Sequence, residues 1–527
     1  MHEDDSTPAS LTRRRFLELS TAAGLVLPFG QEVRPPVVVR DPLPPPTVTH
    51  GVQSGDVEAD RAIVWARSSH AARLHVRYGT TDIRRDVRTR ISAPTTAEND
   101  FTARLDLTGL TPGQRIVYDA WFEGAYGEKA EPVRGSFTTP PRTPGRVRLA
   151  WGGDVAGQGW GIDAAHGGML AFESMRRAQP DLFIHSGDMI YADAPIPATL
   201  PLDDGSTWKN LVSDGVDHVA QTLEDFRGRY RYNLRDEHLL AFNAEVPMVA
   251  QWDDHEVLNN WYPTEILPDA ADGTGQWQRY QEKHLAVLAA RAKRAVFDYT
   301  PIRRNTRDPR QVYRVVRRGP LADVFVLDCR SYRGPNSPNL QARSGPEAAM
   351  LGRTQLAWLE QALAASTATW KIIACDQPLG VVVPDGPLQE GFPSGDPQVL
   401  GREHEIAALL AAIKRRKIRN LIWVTADVHY AAAHRYDPAT ATFTDFDPFW
   451  EFVAGPLHAG TFGPGVLDPS FGPQAVFTSV APKPNRPPSD NLQFFGLIDI
   501  DPATKAATVT LHTRDGKMIY TNTLPPA

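Results

Sequence analysis

Cysteine is almost missing from this sequence. The 527 residues include two cysteines, Cys329 and Cys375, which excludes a disulfide-rich scaffold and any metal site built mainly from thiolates. An excess of basic residues is missing too: 56 Lys and Arg stand against 62 Asp and Glu, for a formal net charge of -6. No nucleic-acid-binding surface is therefore evident. The sequence also lacks repeat periodicities and a series of long apolar runs, which excludes solenoids, coiled coils and multi-span membrane proteins.

What remains is an ordinary globular composition, with 42% hydrophobic and 22% charged residues. The 40 Gly and 45 Pro residues make the chain rich in loops, but they stay below the ~25–30% typical of low-complexity sequences. A chain of this length predicts about two to four domains, or one large domain with a smaller one.

The first thirty residues have the features of an export signal. Arg13 and Arg14 form a twin arginine, Phe16 and Leu17 follow, and residues 19–29 are apolar. A helix that spans a bilayer needs about 20 apolar residues, and this stretch is shorter, so no stable membrane anchor is predicted. The pattern favours a Tat-type signal peptide over residues 1–30, recognised by the Tat translocase, and a periplasmic or secreted protein. An amphipathic N-terminal helix is the alternative.

The predicted export affects the oxidation state expected for the two cysteines. In an oxidising compartment Cys329 and Cys375 could pair. Each lies in a separate apolar run, however, so two buried thiols are an equal expectation.

Residues 31–46 contain six prolines and predict an extended linker. From 47 to 140 the pattern changes to short alternating runs separated by turn residues. Such runs occupy residues 62–67, 74–78, 102–107 and 116–122. This spacing favours an immunoglobulin- or fibronectin-like β-sandwich.

From residue 146 onward, apolar runs alternate with helical patterns, which is typical of an α/β domain. Strands are predicted at residues 147–151, 182–186, 247–252, 322–328, 370–375, 420–425 and 449–454. Helices are predicted at 168–178, 218–242, 276–296, 353–364 and 403–416. Two further strands, at 494–500 and 507–513, are predicted to pair with each other.

Acidic residues follow five of these strands. They are Asp154, Asp188, the run Asp253-Asp254-His255-Glu256, Asp376, and Asp427 with His429. The carboxyl ends of strands are where ligands bind in open α/β sheets, so these side chains are expected to converge. Converging carboxylates need protons or cations. An oxygen-rich ligand set favours Ca²⁺, Mg²⁺ or Mn²⁺, and Fe³⁺ where a tyrosinate such as Tyr191 is available.

In chain order these motifs are Asp154, Gly187-Asp188-x-x-Tyr191, Asp254-His255-Glu256, Asp376 and Asp427-x-His429. This order resembles the metallophosphoesterase superfamily. More specific segments are Gly51-Val52-x-Ser54-Gly55-Asp56, Gln251-Trp252-Asp253-Asp254-His255-Glu256, Leu327-Asp328-x-Arg330-x-Tyr332 and Leu351-Gly352-x-x-Gln355-x-x-Trp358-Leu359. These segments are similar to the PhoD-type alkaline phosphatase/phosphodiesterase family. The resemblance extends from about residue 48 to 515.

The resemblance implies a β-sandwich over residues 47–140 and a four-layer α/β/β/α catalytic domain over residues 146–515. It implies hydrolysis of phosphomonoesters and phosphodiesters at a site holding Fe³⁺ and one or two Ca²⁺, with Mn²⁺, Mg²⁺ or Zn²⁺ as substitutes. Two such metals can clamp the phosphate and lower the pKa of a water molecule, so that hydroxide attacks phosphorus.

The resemblance also implies roles for particular residues. Asp188 would bridge the metals, and Tyr191 and His429 would bind the ferric ion. Asp254 stands where superfamily relatives have Asn, and Asp376 and Asp427 where they have His, which makes the second site suit Ca²⁺.

Asp154 departs from the family, whose members often have Cys at this strand end. His255 is predicted to protonate the leaving alkoxide or to stabilise charge on the phosphate, with orientation of a metal ligand as the alternative. A third metal near Asp253, Glu256 or Asn259 stays open. Arg330 and Arg353 could bind phosphate oxygens, or each could equally be a surface or ion-pair arginine.

Other functions fit the same scaffold. A phosphotriesterase or nuclease is one alternative, and a non-catalytic, calcium-dependent surface-binding protein is another. The insert at residues 192–246, with Trp208-Lys209-Asn210, is expected to form the pocket wall that distinguishes them.

Overall fold

A computed structural model describes residues 44–80, 87–213, 215–269 and 279–527. The segment Pro45–Ala527 forms one unit. The predicted signal peptide and residues 31–43 of the predicted linker lie outside the described residues. Within the described part, no helix combines the length and apolar character needed to cross a membrane.

The described residues contain six α-helices. They are α1 (Leu170–Arg177), α2 (Leu223–Asn233), α3 (Glu237–Glu245), α4 (Leu285–Tyr299), α5 (Gly352–Ala365) and α6 (Glu403–Arg415).

The strands of the described residues, in chain order, fall into two groups. The first group is β1 (Val48–Gly55), β2 (Arg61–Ser68), β3 (Arg73–Thr80), β4 (Arg88–Pro94), β5 (Thr102–Thr108), β6 (Arg115–Glu123), β7 (Val133–Thr138), β8 (Val147–Gly152), β9 (Leu182–His185), β10 (Thr199–Pro201), β11 (Thr207–Lys209) and β12 (Met248–Ala250). The second group is β13 (Arg314–Arg317), β14 (Ala322–Val326), β15 (Trp370–Ala374), β16 (Val381–Val382), β17 (Pro384–Asp385), β18 (Leu388–Gln389), β19 (Leu421–Thr425), β20 (Ala431–Tyr436), β21 (Phe449–Val453), β22 (Val466–Leu467), β23 (Pro473–Ser479), β24 (Phe494–Ile500), β25 (Ala507–Thr513) and β26 (Met518–Leu524).

The first seven strands form a sandwich. Strands β4-β3-β6-β7 make one sheet, and β1, β2 and β5 face it. Alternating side chains of both layers, among them Val64, Val76 and Tyr118, are buried in one apolar cluster. This follows from the two-residue period of the sequence, because every second side chain of a strand points to the same face.

The sandwich is joined to the rest of the fold through β1. Strand β1 pairs in parallel with β12, with Gly55 opposite Met248. A Cβ on Gly55 would lie 2.6 Å from the carbonyl oxygen of Met248, so only glycine permits this approach. The next residue, Asp56, accepts hydrogen bonds from Nε and Nη2 of Arg314 at 2.9 and 2.8 Å. A nine-stranded sheet therefore runs through both predicted domains, in the order β26-β25-β24-β8-β9-β12-β1-β2-β5.

A second large sheet packs on the catalytic part of the first. Its order is β13-β14-β15-β19-β21-β20-β23. Leu182 and Ile184 of β9 and Val324 and Ile372 of the second sheet share one buried cluster. On the outer face of the first sheet, Phe183 contacts Phe172 of α1 and Phe242 of α3, and Ile373 packs with α5 and α6 on the other side. The layers are thus α/β/β/α, which confirms the predicted fold class.

Two predicted helices have different bounds in the structure. The pattern at 218–242 is two helices: α2 ends at Asn233, and Asp236 caps α3 by accepting from the N–H groups of His238 and Leu239. The pattern at 276–296 becomes α4, which begins at Leu285. The paired strands predicted at 494–500 and 507–513 are β24 and β25, which pair antiparallel. The domain boundary at residues 140–146 stays a prediction.

Candidate metal centre

The acidic residues of the strand ends lie along one edge of the two stacked sheets. Strands β8, β9 and β12 run parallel in the first sheet, and β14, β15, β19 and β21 run parallel in the second. Their carboxyl ends therefore point to the same edge, and the loops that leave this edge carry Asp154, Asp188, Asp254, Asp376 and Asp427.

The backbone is left-handed at four of the predicted ligands. The φ angles are 66° at Asp154, 49° at Asp188, 64° at Asp427 and 58° at His429. Such conformations cost on the order of 1 kcal/mol or more for residues other than glycine, and they tend to cluster at functional sites. Gly187 has a φ of 84°, which favours glycine. Glycine is also required there because a Cβ would collide with the Cβ of Asp253.

The first group of potential ligands is Asp154, Asp188 and His429, whose ligand atoms lie within 4.8 Å of one another. The Nε2 of His429 is 3.4 Å from Oδ1 of Asp154 and 2.8 Å from the hydroxyl of Tyr191. The other ring nitrogen, Nδ1, contacts the carbonyl of Gly460, which fixes the ring with Nε2 toward the acidic residues. All four side chains are buried.

Two more groups continue from the first. Asp188, Asp254 and His255 form one, and Asp253, Asp254 and Asp427 form the next, each within the same 4.8 Å. Asp188 belongs to the first and second groups and Asp254 to the second and third, so the three groups are contiguous. This chain of groups, from Asp154 to Asp427, is called the acidic centre below.

Asp376 lies at the margin of the acidic centre. A carboxylate oxygen of Asp376 lies within 4.8 Å of the sulfur atoms of Cys329 and Cys375, and Asp376 belongs to none of the three groups that form the acidic centre. Its Oδ2 is 4.0 Å from Nε of Arg330. The two cysteines are buried thiols with their sulfur atoms 3.5 Å apart.

The charges of the acidic centre are not balanced by protein alone. Burial, followed by the charges of Asp254 and Asp253, raises the pKa of Asp188 well above its usual range. Burial and the charge of Asp253 do the same for the pKa of Asp427. Unpaired oxygens remain at fully buried positions: Oδ2 of Asp154, Oδ1 of Asp254 and both oxygens of Asp376 have no hydrogen-bond partner. Buried carboxylates in this condition are normally neutralised or bound to cations, so the residues fit metal ions.

Arg330 is a buried cation beside the acidic centre. Nε of Arg330, which is fully buried, is 2.5 Å from Oδ1 of Asp253, and its Nη1 is paired with Glu390. Glu390 also accepts from Arg333 and Gln377. Arg330 is thus an ion-pair arginine within a closed network, and Arg353, the other arginine singled out from the sequence, is exposed on α5.

Glu256 connects the loop that follows β9 to the loop that follows β12. Its carboxylate accepts from three backbone N–H groups, those of Asp188 at 3.2 Å, Met189 at 2.6 Å and Asp253 at 2.7 Å. Burial raises the pKa of Glu256 to about 7 despite these bonds. Both oxygens are therefore used for positioning the two strand-end loops.

A cavity of about 460 Å³ opens beside the acidic centre. It is lined by Gln158, Tyr191, Asp193, Ala194, His255, Asn259 and Arg279. His255 stacks on Tyr191 with ring centroids 4.1 Å apart, and its Nδ1 is 2.9 Å from both oxygens of Asp193. Burial disfavours protonation of His255, but Asp193 and Asp254 outweigh it and raise its pKa to about 10.

The insert at 192–246 contributes Asp193 and Ala194 to this cavity. Trp208 does not line it. This side chain is fully buried, donates from Nε1 to Oδ1 of Asn210 and stacks on His166.

Sequence reasoning missed at least four residues of the site: Gln158, Asp193, Arg279 and Glu390. Asp193 follows Tyr191 by two positions, a spacing that could have drawn attention to it. Gln158 and Glu390 carry no comparable local signal, because Glu390 reaches Arg330 only through the fold.

Comparison with known proteins gives a consistent picture. The family model described as "PhoD-like phosphatase" matches residues 149–511, and that described as "PhoD-like phosphatase, N-terminal domain" matches residues 35–141. Alkaline phosphatase D of Bacillus subtilis (strain 168) is 25% identical over 412 residues, which cover 72% of this chain and 64% of that protein. This chain therefore matches somewhat less than two thirds of the length of that relative.

Two solved structures share the fold. One, titled as the structure of PhoD, superposes with a TM-score of 0.64 at 20% identity and covers 91% of this chain and 93% of its own. The other is the purple acid phosphatase PPD1 from yellow lupin (Lupinus luteus) seeds, with a TM-score of 0.54 at 13% identity, covering 92% of this chain and 74% of its own. The resemblance found in the sequence motifs is confirmed by the first family model, which spans most of the chain: this protein belongs to the PhoD-like phosphatase family.

Proposed function

We propose that this protein is a metal-dependent phosphoric ester hydrolase of the alkaline phosphatase/phosphodiesterase type. The observation that carries the proposal is the contiguity of the acidic centre, in which Asp188 is shared between a group containing His429 and a group containing Asp254. A carboxylate shared in this way suits two neighbouring cations. The matched relative is named an alkaline phosphatase, which agrees with this activity.

The donor set favours iron and calcium. Asp154, Asp188, His429 and the hydroxyl of Tyr191 would hold Fe³⁺, since a phenolate oxygen is a ligand that a ferric ion accepts and that structural calcium does not need. Asp188 and Asp254, with Asp427, would hold Ca²⁺ through oxygen ligands. Asp376, with two unpaired buried oxygens, is proposed as a further calcium ligand. Mn²⁺, Mg²⁺ or Zn²⁺ are possible substitutes.

When bound, such a pair of cations stabilises charge on the phosphate and lowers the pKa of a water molecule. The protein residues supply the rest. His255 lines the cavity with Nδ1 held by Asp193, which leaves Nε2 to meet the substrate. We assign to that nitrogen the proton given to the leaving alkoxide. Tyr191 stacks on the imidazole and limits its rotation.

The cavity favours anionic esters over neutral ones. Arg279 lines it together with His255, and it makes no ion pair within 4.0 Å among the described residues. A guanidinium suits the charged oxygens of a monoester or diester, and a neutral triester would gain little from it. This argues against the phosphotriesterase alternative.

The test is metal analysis combined with turnover. The purified, exported protein is expected to contain iron and calcium and to hydrolyse aryl phosphate monoesters and diesters faster than the triester. Asp188→Asn should lose both metals and activity, and Arg279→Met should raise KM for the diester more than for the triester. A protein that binds calcium but hydrolyses none of the three esters would refute the proposal in favour of a binding function.

Export is proposed from the sequence alone, because residues 1–43 lie outside the described structure. The variant Arg13→Lys/Arg14→Lys should leave the precursor in the cytoplasm, as judged by cell fractionation. Normal export of this variant would contradict a Tat-type signal.

A further inference from the structure

Three arginines lie within 4.0 Å of one carboxylate at the junction between the sandwich and the catalytic part of the fold, and a fourth lines the cavity beside it. Asp298, near the end of α4, is 2.6 Å from Nη2 of Arg227 and 3.0 Å from Nε of Arg294, and it is 4.0 Å from Nη2 of Arg304. Arg104, from strand β5 of the sandwich, faces the same region and lines a cavity with Arg294, Arg304 and Asp298. These four arginines and Asp298 are called the junction cluster.

The junction cluster has an excess of positive charge. Among the described residues, Asp298 is the one carboxylate within 4.0 Å of any of its guanidinium groups. Arg104 is half-buried and donates to the carbonyl oxygen of Thr300 at 3.2 Å. Burial, and then the charge of Arg304, lowers the pKa of Arg104 to about 10.

Neighbouring arginines outside the junction cluster form close ion pairs with carboxylates. Arg303, one residue before Arg304, is shared between Glu58 and Asp106, and Asp100 accepts from both Arg67 and Arg231. In these clusters each arginine has a carboxylate at 3.2 Å or less. In the junction cluster, by contrast, Arg304 lies 4.0 Å from Asp298 and Arg104 makes no ion pair within 4.0 Å among the described residues.

The space beside the cluster is large enough for a ligand. The cavity lined by Arg104, Arg294 and Arg304 has a volume of about 380 Å³ and includes Ser92 and Asn99 of the sandwich. A second cavity of about 540 Å³ shares Arg294 and Arg304 with it and is walled by Trp252, Phe297 and Tyr332. Arg294 and Arg304 each keep 40% of their side-chain surface exposed, so the site is open to solvent.

We infer that the junction cluster is a second phosphate-binding site, separate from the acidic centre, in which Arg104, Arg294 and Arg304 bind the oxygens of a phosphate group. Planar guanidinium groups bind the oxygens of a phosphate in pairs, and a divalent anion offsets the excess charge of the cluster. The phosphate belongs either to the free ion or to an ester whose organic part enters the aromatic cavity. Because Arg104 comes from the sandwich and Arg304 from the catalytic part, the bound anion ties the two together.

Equilibrium dialysis of the full-length, metal-loaded protein against labelled inorganic phosphate tests the inference. The wild type is expected to bind two phosphates per chain, one at each site. Asp188→Asn removes the acidic centre and should retain one. Arg304→Met in the Asp188→Asn background should weaken the remaining site by about tenfold to a hundredfold, the usual effect of losing a charge-assisted hydrogen bond.

Arg307→Met is the matched control, because Arg307 is exposed on the same loop and lines neither cavity. It should leave binding unchanged. Since Arg304 is partly exposed, its substitution is expected to preserve folding, which circular dichroism checks, and Arg294→Met gives an independent second variant. No phosphate bound to Asp188→Asn, or binding in that background that both arginine variants leave intact, would overturn the inference.

A second probe identifies the source of the phosphate. Phenylphosphonate carries a carbon–phosphorus bond that an ester hydrolase does not cleave. Tighter binding of phenylphosphonate than of inorganic phosphate to Asp188→Asn assigns the site to phosphate esters, with Trp252 and Tyr332 in contact with the organic part. Equal or weaker binding assigns it to the free ion.

Discussion

Both carboxylate oxygens of Asp193 lie 2.9 Å from Nδ1 of His255. Asp193 is itself held by the N–H of Asn259 at 2.9 Å. This arrangement fixes which ring nitrogen of His255 faces the cavity, in the same way that a carboxylate orients the histidine of many catalytic and metal sites.

The first prediction concerns this pair. His255→Ala should lower the rate for alkyl phosphate esters by roughly 10²–10⁴-fold, because general acid catalysis is lost. The loss should be smaller for nitrophenyl esters, since nitrophenolate leaves without protonation. Asp193→Asn should reproduce the same dependence on the leaving group with a loss of about 10–100-fold.

Steady-state kinetics with both ester types, together with metal analysis, check this. Equal losses for alkyl and nitrophenyl esters with metals intact would contradict an acid role for His255. Metal loss in His255→Ala would instead identify it as a ligand or as the residue that orients one.

The second prediction concerns colour. If Tyr191 binds Fe³⁺ as a phenolate, the protein absorbs visible light through charge transfer, and Tyr191→Phe should abolish that band while leaving the protein folded. Tyr262→Phe, at a half-buried tyrosine outside the cavity lining, is the control and should keep the colour. A colourless, fully active wild type that contains only zinc is the result that would refute this assignment.

The third prediction concerns Asp254. Its Oδ2 accepts from the N–H of Asn260 at 2.6 Å, and its Oδ1 is unpaired and buried. Asp254→Asn keeps the shape of the side chain but removes its charge, so calcium occupancy should fall and another divalent ion should partly restore activity. Asp193→Asn is the comparison and should keep its calcium in the same metal analysis.

The fourth prediction concerns stability in acid. Burial, and then the charge of Arg67, lowers the pKa of His50 from 6.5 to about 4. Between these values the unfolded chain binds a proton at His50 and the folded protein does not. Above pH 6.5 His50 is neutral in both states, and the free energy of unfolding has its full value. As the pH falls from 6.5 toward 4, proton binding stabilises the unfolded chain, so the free energy of unfolding decreases. His50→Gln should flatten this part of the pH profile, measured by denaturant unfolding, and an unchanged slope would count against it.

Much of the catalytic part could be predicted because its signals are local. Parallel strands buried on both faces read as continuous apolar runs, and β24 and β25 have the bounds that the sequence pattern predicts. The convergence of Asp154, Asp188 and Asp254 follows from strand ends sharing one edge. Ligation by these residues stays a prediction.

Other features depend on contacts between distant parts of the chain. Asp236, which caps α3, also accepts from the N–H of Met169 at 2.9 Å, a contact that no window around residue 236 reveals. The pairing of Arg330 with Asp253 and Glu390 likewise joins three separate loops. The sequence analysis named Arg330 but left its role open, and its pairing with Asp253 and Glu390 becomes apparent only in the folded structure.

The continuity of the first sheet through Gly55 and Met248 limits how the protein can be divided or recombined. A chain cut between residues 141 and 149, where the two family models separate, would leave β12 with an unpaired edge, which promotes association with other chains. It would also leave Arg314, largely buried, without Asp56, and an unpaired buried charge costs about 3–5 kcal/mol. A chimera that takes its sandwich from a relative must therefore also contain residues in the catalytic part that can pair with Asp56 and pack against Gly55.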